Sequence, residues 1–464
     1  GTNRGWPVRG NRQYVLERLE WTGKMPFEIE RISIRPQGFH LSFTMPVDKA
    51  IASDPATYKL LTYTHVFQKH YGSPEVDQTT PKVTAVEVAE DGRSVQITLD
   101  ALVEGHVHEF DVGALRSASG VDLLHKNAYY TVTAIPQAAP APKPHPVPED
   151  PRWLTYRASD DNSNGQHIVL IAAEQEYRSE QSLPMLARIL TKHHGFDCTV
   201  LFAANEEGLV DPTQKIRWQD KSVIHNIPGL EHLKSADLMI LHSRLITLPD
   251  DQIGHIIDYL DSGRPILGIR TANHGFLENF PYKLKGKKVR FGDDVLGGSF
   301  RGHHGNWHRD STRGIPVESQ ADHPILRGVE DVWGPSDVYR TYPKDKALPD
   351  GCTALMFGQP LTGRDHDDPP NKKKIPLPIA WTKTWTGSKG VAARVFHVTM
   401  GSAKDYQSAG LRRMTINAAY WCLGLEDRIR ASSSVDYVGA YEPLASGFNY
   451  PKLKVMPRPV SYYR

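Results

Sequence analysis

The sequence predicts two folded units: an N-terminal all-β sandwich, then an α/β domain built on a doubly wound, mostly parallel sheet. Three observations carry this. At 464 residues the chain exceeds what one ordinary core organises. Its hydrophobic period is near two in the first part and alternates between strand-like runs and helical stripes in the second. Between the two lies Gln137-Ala-Ala-Pro-Ala-Pro-Lys-Pro-His-Pro-Val-Pro-Glu-Asp-Pro151, where alternating proline blocks helix and sheet alike and favours polyproline II. The expected division is a sandwich over 1–136, a linker over 137–152, the α/β domain over 153–430 and an extended tail over 431–464.

In the first unit, Phe27, Ile29, Ile32 and Ile34 lie in a run that ends at Pro36-Gln37-Gly38. Phe39, Leu41 and Phe43 then alternate with polar residues, as a half-buried strand does. Val86 and Val88, the turn Glu90-Asp91-Gly92-Arg93, and Val95, Ile97 and Leu99 spell a hairpin over Val83–Leu99. Strands over His106–Val112 and Tyr129–Ile135 complete the set.

In the second unit, His167–Ala173 is a continuous apolar run, as expected of a strand buried on both faces of a parallel sheet. A helix follows, with Ser182 as N-cap, an apolar stripe at Leu183, Leu186, Ala187 and Leu190, and a stop at Gly195. Phe196–Phe202 and Ala236–Leu241 read as the next strands. A second helix starts near Pro249, carries Ile253, Ile256, Ile257 and Leu260 at helical spacing, and stops at Gly263. Pro265–Ile269 is the next strand, and later ones are expected at Thr353–Phe357, Leu377–Lys383 and Ala393–Thr399. A closing helix runs through Leu411, Met414, Ala418 and Cys422. Any site belongs at the carboxyl ends of the parallel strands.

Composition narrows the function. The 55 basic and 53 acidic residues nearly cancel to +2, which gives no footprint for nucleic acid. No run approaches the ~18 apolar residues of a membrane span, so no membrane insertion is expected. Cys198, Cys352 and Cys422 are far apart, so neither a zinc ribbon nor a CxxC redox motif is available; no metal and no cofactor is expected. The first residues lack a starting Met and an apolar leader, so the sequence reads as processed or excised.

The turn after Pro265–Ile269, Gly268-Ile-Arg-Thr-Ala-Asn-His274, sits where class I glutamine amidotransferases place a Gly-x-Cys-x-Gly nucleophile elbow. Arg270 occupies the cysteine position, so thiolate chemistry on glutamine is not expected. With this departure, residues 165–425 resemble ThuA-like (trehalose utilisation) domains of the amidotransferase-like superfamily. The motifs that carry the resemblance are, in order, Ile168–Ala173 with Glu176-Tyr-Arg-Ser179, Ala236-Asp-Leu-Met-Ile240, the Gly268–His274 turn, His303-His-Gly305, His323-Pro-Ile325, Ser336-Asp-Val-Tyr339, Pro378-Ile-Ala-Trp381, and Arg394-Val-Phe396 to Met400-Gly401. Many relatives carry histidine after that last glycine, where Ser402 stands here. The segment Leu41–Asp48 and the turn Gly120-Val-Asp122 resemble bacterial immunoglobulin-like domains. The whole chain resembles the C-terminal part of secreted sugar-dehydrogenase-like proteins.

These resemblances imply a small-molecule carbohydrate as substrate, a disaccharide or its 3-keto derivative. They also imply a partner sugar dehydrogenase or haem/quinone module, and a periplasmic or secreted location. Breaking or isomerising a 3-keto sugar, as a lyase, hydrolase or isomerase would, needs a base for the proton alpha to the ketone and a cation or donor for the enolate oxygen. His274 and His304 are the candidate catalytic bases, with Asp337 to orient a histidine. Glu176, Arg178, Arg244, Arg270, Thr271 and His303 are candidate substrate contacts, and Tyr339 and Trp381 candidate faces for a sugar ring. Plainer roles stand beside these. Arg178 and Arg270 would serve equally as buried ion-pair partners of Glu174 or Glu176, and Trp381 as core. His304 and His308 have metal-like i, i+4 spacing, but Gly305-Asn-Trp307 between them favours a loop. The rival to an enzyme is a non-catalytic sugar-binding or docking module of a larger oxidoreductase.

Overall fold

A computed structural model describes Arg18 and residues 20–136, 145–276, 280–341 and 348–464. The first part of the proline-rich segment, 137–144, lies outside the described residues. Chain contacts divide the protein into Gly1–Ala139 and Pro140–Arg464.

Among the described residues the first unit has eight strands: β1 (Ile29–Arg35), β2 (Gly38–Phe43), β3 (Lys59–His65), β4 (Glu75–Thr79), β5 (Val83–Val88), β6 (Ser94–Leu99), β7 (Val107–Asp111) and β8 (Asn127–Thr131). They form two antiparallel four-stranded sheets, ordered β1-β2-β6-β5 and β4-β3-β7-β8. Phe39, Leu41 and Phe43 of β2, Val95 and Ile97 of β6 and Phe110 of β7 meet in one core. The predicted hairpin is β5–β6. Strand β4 carries no alternating signal because it is nearly all exposed, an edge strand held by main-chain bonds to β3. One turn of helix, α1 (Lys49–Ala52), is capped by the Asp48 carboxylate.

The second unit carries a ten-stranded sheet. Its strands are β9 (Leu154–Tyr156), β10 (His167–Ala173), β11 (Asp197–Phe202), β12 (Leu238–Ser243), β13 (Ile266–Ile269), β16 (Thr312–Pro316), β17 (Trp333–Gly334), β18 (Thr353–Pro360), β19 (Leu377–Thr386) and β20 (Ala392–Val398). A two-stranded hairpin of β14 (Lys283–Leu284) and β15 (Lys287–Lys288) stands apart. The sheet order is β17-β16-β18-β19-β20-β13-β12-β10-β11-β9. Only the run β20-β13-β12-β10-β11 is parallel; the remaining pairings are antiparallel. The sheet is therefore mixed rather than mostly parallel. β19 and β20 are joined by only the five residues 387–391, too few for a crossover helix, so they fold back as antiparallel neighbours, and β18 pairs antiparallel with β19 across the longer connection 361–376.

All seven residues of β10 are buried, as its continuous apolar run requires. Helices α2 (Ser179–His194), α3 (Asp250–Asp261) and α4 (Ala409–Cys422) flank the sheet, and a last turn, α5 (Tyr450–Leu453), lies in the tail. Apolar side chains pack on both faces of the sheet, with Leu170, Leu186 and Leu411 on one and Val169, Leu241 and Ile256 on the other. α2 begins at Ser179, three residues before the expected cap. The Glu174 carboxylate accepts from the Ser179 amide at 2.9 Å, which starts the helix early and leaves Pro184 inside it. Gly195 ends it in the left-handed region, as expected. No helix among the described residues is long and apolar enough to cross a membrane.

Residues after 145 are bound to this unit. The His145 ring packs edge-on against His167 at 5.1 Å, and Val147 is buried. The tail is held by Arg412, which donates to Val435 O at 2.7 Å, by Arg188 to Val438 O at 3.0 Å, and by Arg458 pairing with Val210.

One buried acid under the tail sets a pH dependence. Glu180, in the first turn of α2, is raised to about 7 by burial, only partly offset by Arg178. A carboxyl raised from 4.5 to about 7 holds its proton in the folded chain where the unfolded chain has lost it. Its contribution is complete below about pH 4.5 and lost as pH rises to about 7. Buried His167, His194 and His242, each lowered to about 4, act with the opposite sign in the same window. The Glu180 contribution is therefore read as a difference. Relative to Glu180→Gln, the native chain should lose on the order of 2–3 kcal/mol between pH 4.5 and 7 in urea titrations. A pH-independent difference would exclude this.

Candidate functional site

The parallel strands β10, β12, β13 and β20 deliver their carboxyl ends to one face of the sheet, and the loops that follow them build the site. After β13 the chain turns sharply at Arg270, whose φ is +42°, into the short helix Arg270–His274. Gly268, one residue inside the strand, cannot be larger: a Cβ there would lie 2.8 Å from His397 Nδ1. The turn is thus tightly packed from the strand side, with Arg270 at its tip.

Arg270 is fully enclosed. Its guanidinium lies between the rings of Tyr177 and Tyr339, 4.0 and 4.2 Å from their centroids. It donates to Thr399 O at 2.7 Å, past the end of β20, and pairs with Asp337 Oδ1 at 3.3 Å. Asp337 is itself buried, and its other oxygen, Oδ2, accepts from His303 Nδ1 at 2.7 Å. The His303 side chain remains about one third exposed. The result is a line from the buried cation through the carboxylate to a half-exposed imidazole. Asp337 holds His303 in the tautomer whose Nε2 is the acceptor.

His303 and His304 part company because residues 301–305 run antiparallel to 338–340, with His303 bridged to Tyr339 and the His304 amide donating to Val338 O at 2.8 Å. Neighbours on an extended chain point to opposite sides. His303 meets Asp337, whereas His304 Nε2 bonds Ile375 O at 2.9 Å.

His274 ends the elbow helix. Its Nδ1 lies 2.7 Å from Asn273 Oδ1, and its ring packs on Phe300 at 4.8 Å. Phe300 in turn packs on His303 at 5.1 Å, so one phenyl ring separates the two imidazoles. Burial, followed by the charges of Arg244 and Arg270, holds the His274 pKa well below the usual imidazole value. It is neutral at pH 7. With Nδ1–H given to Asn273, its Nε2 is a hydrogen-bond acceptor.

On the β10 side, the Glu174 carboxylate accepts from the amides of Glu176 and Tyr177, each at 2.6 Å, and so shapes the loop. Glu176 faces the site. It accepts from Trp307 Nε1 at 2.8 Å and lies 3.6 Å from Arg244 and 3.5 Å from His308. Burial alone would raise this carboxyl, but His308, Arg244 and Trp307 outweigh it and hold the pKa down. Glu176 is therefore held as a carboxylate, an acceptor rather than an acid.

Of the residues expected to touch substrate, Glu176, Arg244, His274, His303 and Asp337 come together within two linked loop clusters. Others do not reach the cleft. Arg178 is fully enclosed and donates to Gln175 O and Gly447 O, tying the tail to the β10 loop. Arg270, Thr271 and Tyr339 are enclosed too, so they act only through neighbours. Trp381 is core. It is shut between sheet and loop, with Nε1 donating to Leu296 O at 2.7 Å and its ring against His397.

The exposed aromatic surface is instead Trp307, Phe300 and Phe448. Trp307 and Phe448 are 45% and 38% exposed, and the Arg244 guanidinium lies 4.9 Å over the Phe448 ring. Phe448 arrives with the tail at Gly447, whose φ of +130° and bond to Glu176 O at 2.9 Å suit glycine alone. A tryptophan inside a Gly- and His-rich loop was a readable signal for Trp307, whereas Phe448 had none. Beside them, a cavity of about 510 Å3 is lined by Arg244, Asn273, His274, Phe300 and Arg301. Among the described residues no group of three metal-ligating side chains occurs.

This geometry defines an α/β domain whose candidate site lies at the carboxyl ends of its parallel strands, beside a turn that holds arginine. The chain belongs to the trehalose utilisation (ThuA) family, whose model matches residues 168–422. Among solved structures, a ThuA-like protein of Parabacteroides merdae is 11% identical over 64% of this chain and 99% of that one, with a TM-score of 0.37. One of Bacteroides uniformis is 15% identical over 55% and 90%, with a TM-score of 0.35. The surface-layer protein SbsC, domains 1–6, is 25% identical over 26% of this chain, with a TM-score of 0.19; the chain covers only 14% of its length. No curated protein matches.

Proposed function

We propose that the ThuA domain processes a disaccharide or 3-keto-glycoside by general acid–base chemistry at this strand-end cleft. The observation that supports it most is the 2.7 Å contact between buried Asp337 and the half-exposed imidazole of His303. A carboxylate behind Nδ1 fixes the ring and leaves Nε2 as the outward acceptor, the posture that abstraction of the proton alpha to a ketone demands. The role first expected of His304 therefore moves to His303. Arg244 supplies positive charge for the enolate oxygen. Glu176 and neutral His274 accept hydroxyl hydrogen bonds, and Trp307 and Phe448 offer the apolar faces on which sugar rings stack.

In this reading the N-terminal sandwich is an immunoglobulin-like docking module. The protein works in the periplasm or outside the cell, and a partner sugar dehydrogenase, or a haem/quinone module, makes the 3-keto substrate. The test is product analysis by NMR after incubation with trehalose and with 3-keto-glycosides. Consumption of one of them is the expected result. A protein that leaves every candidate unchanged, yet melts at a higher temperature with added sugar, is a binder, and the catalytic roles fall.

A further inference from the structure

The cavity of about 510 Å3 at the strand ends is unevenly charged. Among the described residues lining it stand four cations, Arg244, Lys288, Arg290 and Arg301, against one carboxylate, Asp293. Asp293 is already shared, 3.1 Å from Arg290 and 2.9 Å from Arg301. Arg290 also touches Asp294 at 3.5 Å, an exposed pair that contributes little. Arg244 is offset by Glu176 at 3.6 Å. Lys288, at the end of the β14–β15 hairpin, makes no ion pair among the described residues. Positive charge is thus left over in the lining of the cavity, which also holds the apolar ring of Phe300 packed on His274 at 4.8 Å. The same positive field registers at His274, where Arg244 and Arg270 follow burial as the causes of its lowered pKa.

A neutral sugar has no use for such a lining. Hydroxyls are served by Glu176, Asn273 and His274, which are acceptors or neutral donors. Guanidinium and ammonium groups gathered in a cleft fit a planar carboxylate or a phosphate. We propose that the sugar taken here carries an anionic group, a carboxylate or a phosphate, seated against Lys288, Arg290 and Arg301 while its ring lies on Phe300 beside His274. This rests on the reading that the cleft takes a sugar, and it narrows that substrate to acidic ones.

The test titrates the full chain by calorimetry with three probes: D-glucose, D-glucuronate and D-glucose 6-phosphate. At about 50 mM salt at least one acidic sugar should bind tenfold or more tightly than glucose, and at about 300 mM that advantage should shrink. The acid that wins identifies the group. Lys288→Gln with Arg301→Gln should remove most of the advantage and leave glucose binding in place. Lys288→Gln alone, at an exposed position with no bond to break, should remove part of it and guards against misfolding of the double variant. Equal binding of glucose and both acids, or an advantage that survives the double variant, overturns the anionic assignment and leaves the sugar reading standing. Binding of none of the three likewise overturns the anionic assignment, while the sugar reading is decided by the NMR test with trehalose and 3-keto-glycosides.

Discussion

Arg270→Leu should lower the stability of the α/β unit by about 3–5 kcal/mol, the loss expected when one partner of a buried ion pair is removed. The leucine would leave Asp337, itself buried, without its cation. It would also strip a 2.7 Å donor from Thr399 O and the charge that both tyrosine rings enclose. Arg270→Lys should fall in between, because an ammonium keeps the charge but cannot reach Thr399 and Asp337 at once as a planar fork does. Urea unfolding followed by tryptophan fluorescence reports this, since most tryptophans lie beyond residue 150. A leucine variant within about 1 kcal/mol of the native chain would mean that Asp337 is protonated or solvated, and the chain of contacts to His303 would lose its anchor.

The second large effect separates two adjacent histidines. His303→Ala should reduce turnover of the accepted sugar by about 10²–10⁴-fold, the usual range for a lost general base. His304→Ala should change it by no more than about threefold, since that ring bonds Ile375 O rather than the carboxylate. Asp337→Asn should come close to His303→Ala in rate, because an amide there can stabilise the wrong tautomer. The reverse ranking, with His304 essential and His303 dispensable, would sink the assignment. Thermal melts of all three variants separate a lost base from a lost fold.

Much of this molecule was legible in its residues, and the parts that were share one property. The seven buried residues of β10, the stripe of α3 and the stop at Gly195 are each decided within a dozen neighbours, by side-chain period and backbone preference. The Gly268–His274 turn was legible for the same reason, following directly on a short apolar strand.

What only the tertiary structure decided involves partners distant in the chain. Whether Trp381 faces sugar or core depends on Leu296 and His397 closing over it, and an apolar strand reads the same either way. The choice between His303 and His304 depends on the pairing of 301–305 with 338–340, which sets the side that each ring takes. The antiparallel half of the sheet follows from which strand each one lies beside, as where β16 pairs with β18 across forty or more positions, rather than from period. Phe448 reaches the site only because Arg178 and Glu176, some 270 positions earlier, hold Gly447 in place. Local period specifies the elements, but the direction of a side chain at a site is set by whatever packs against it, and that is written nowhere near it in the chain.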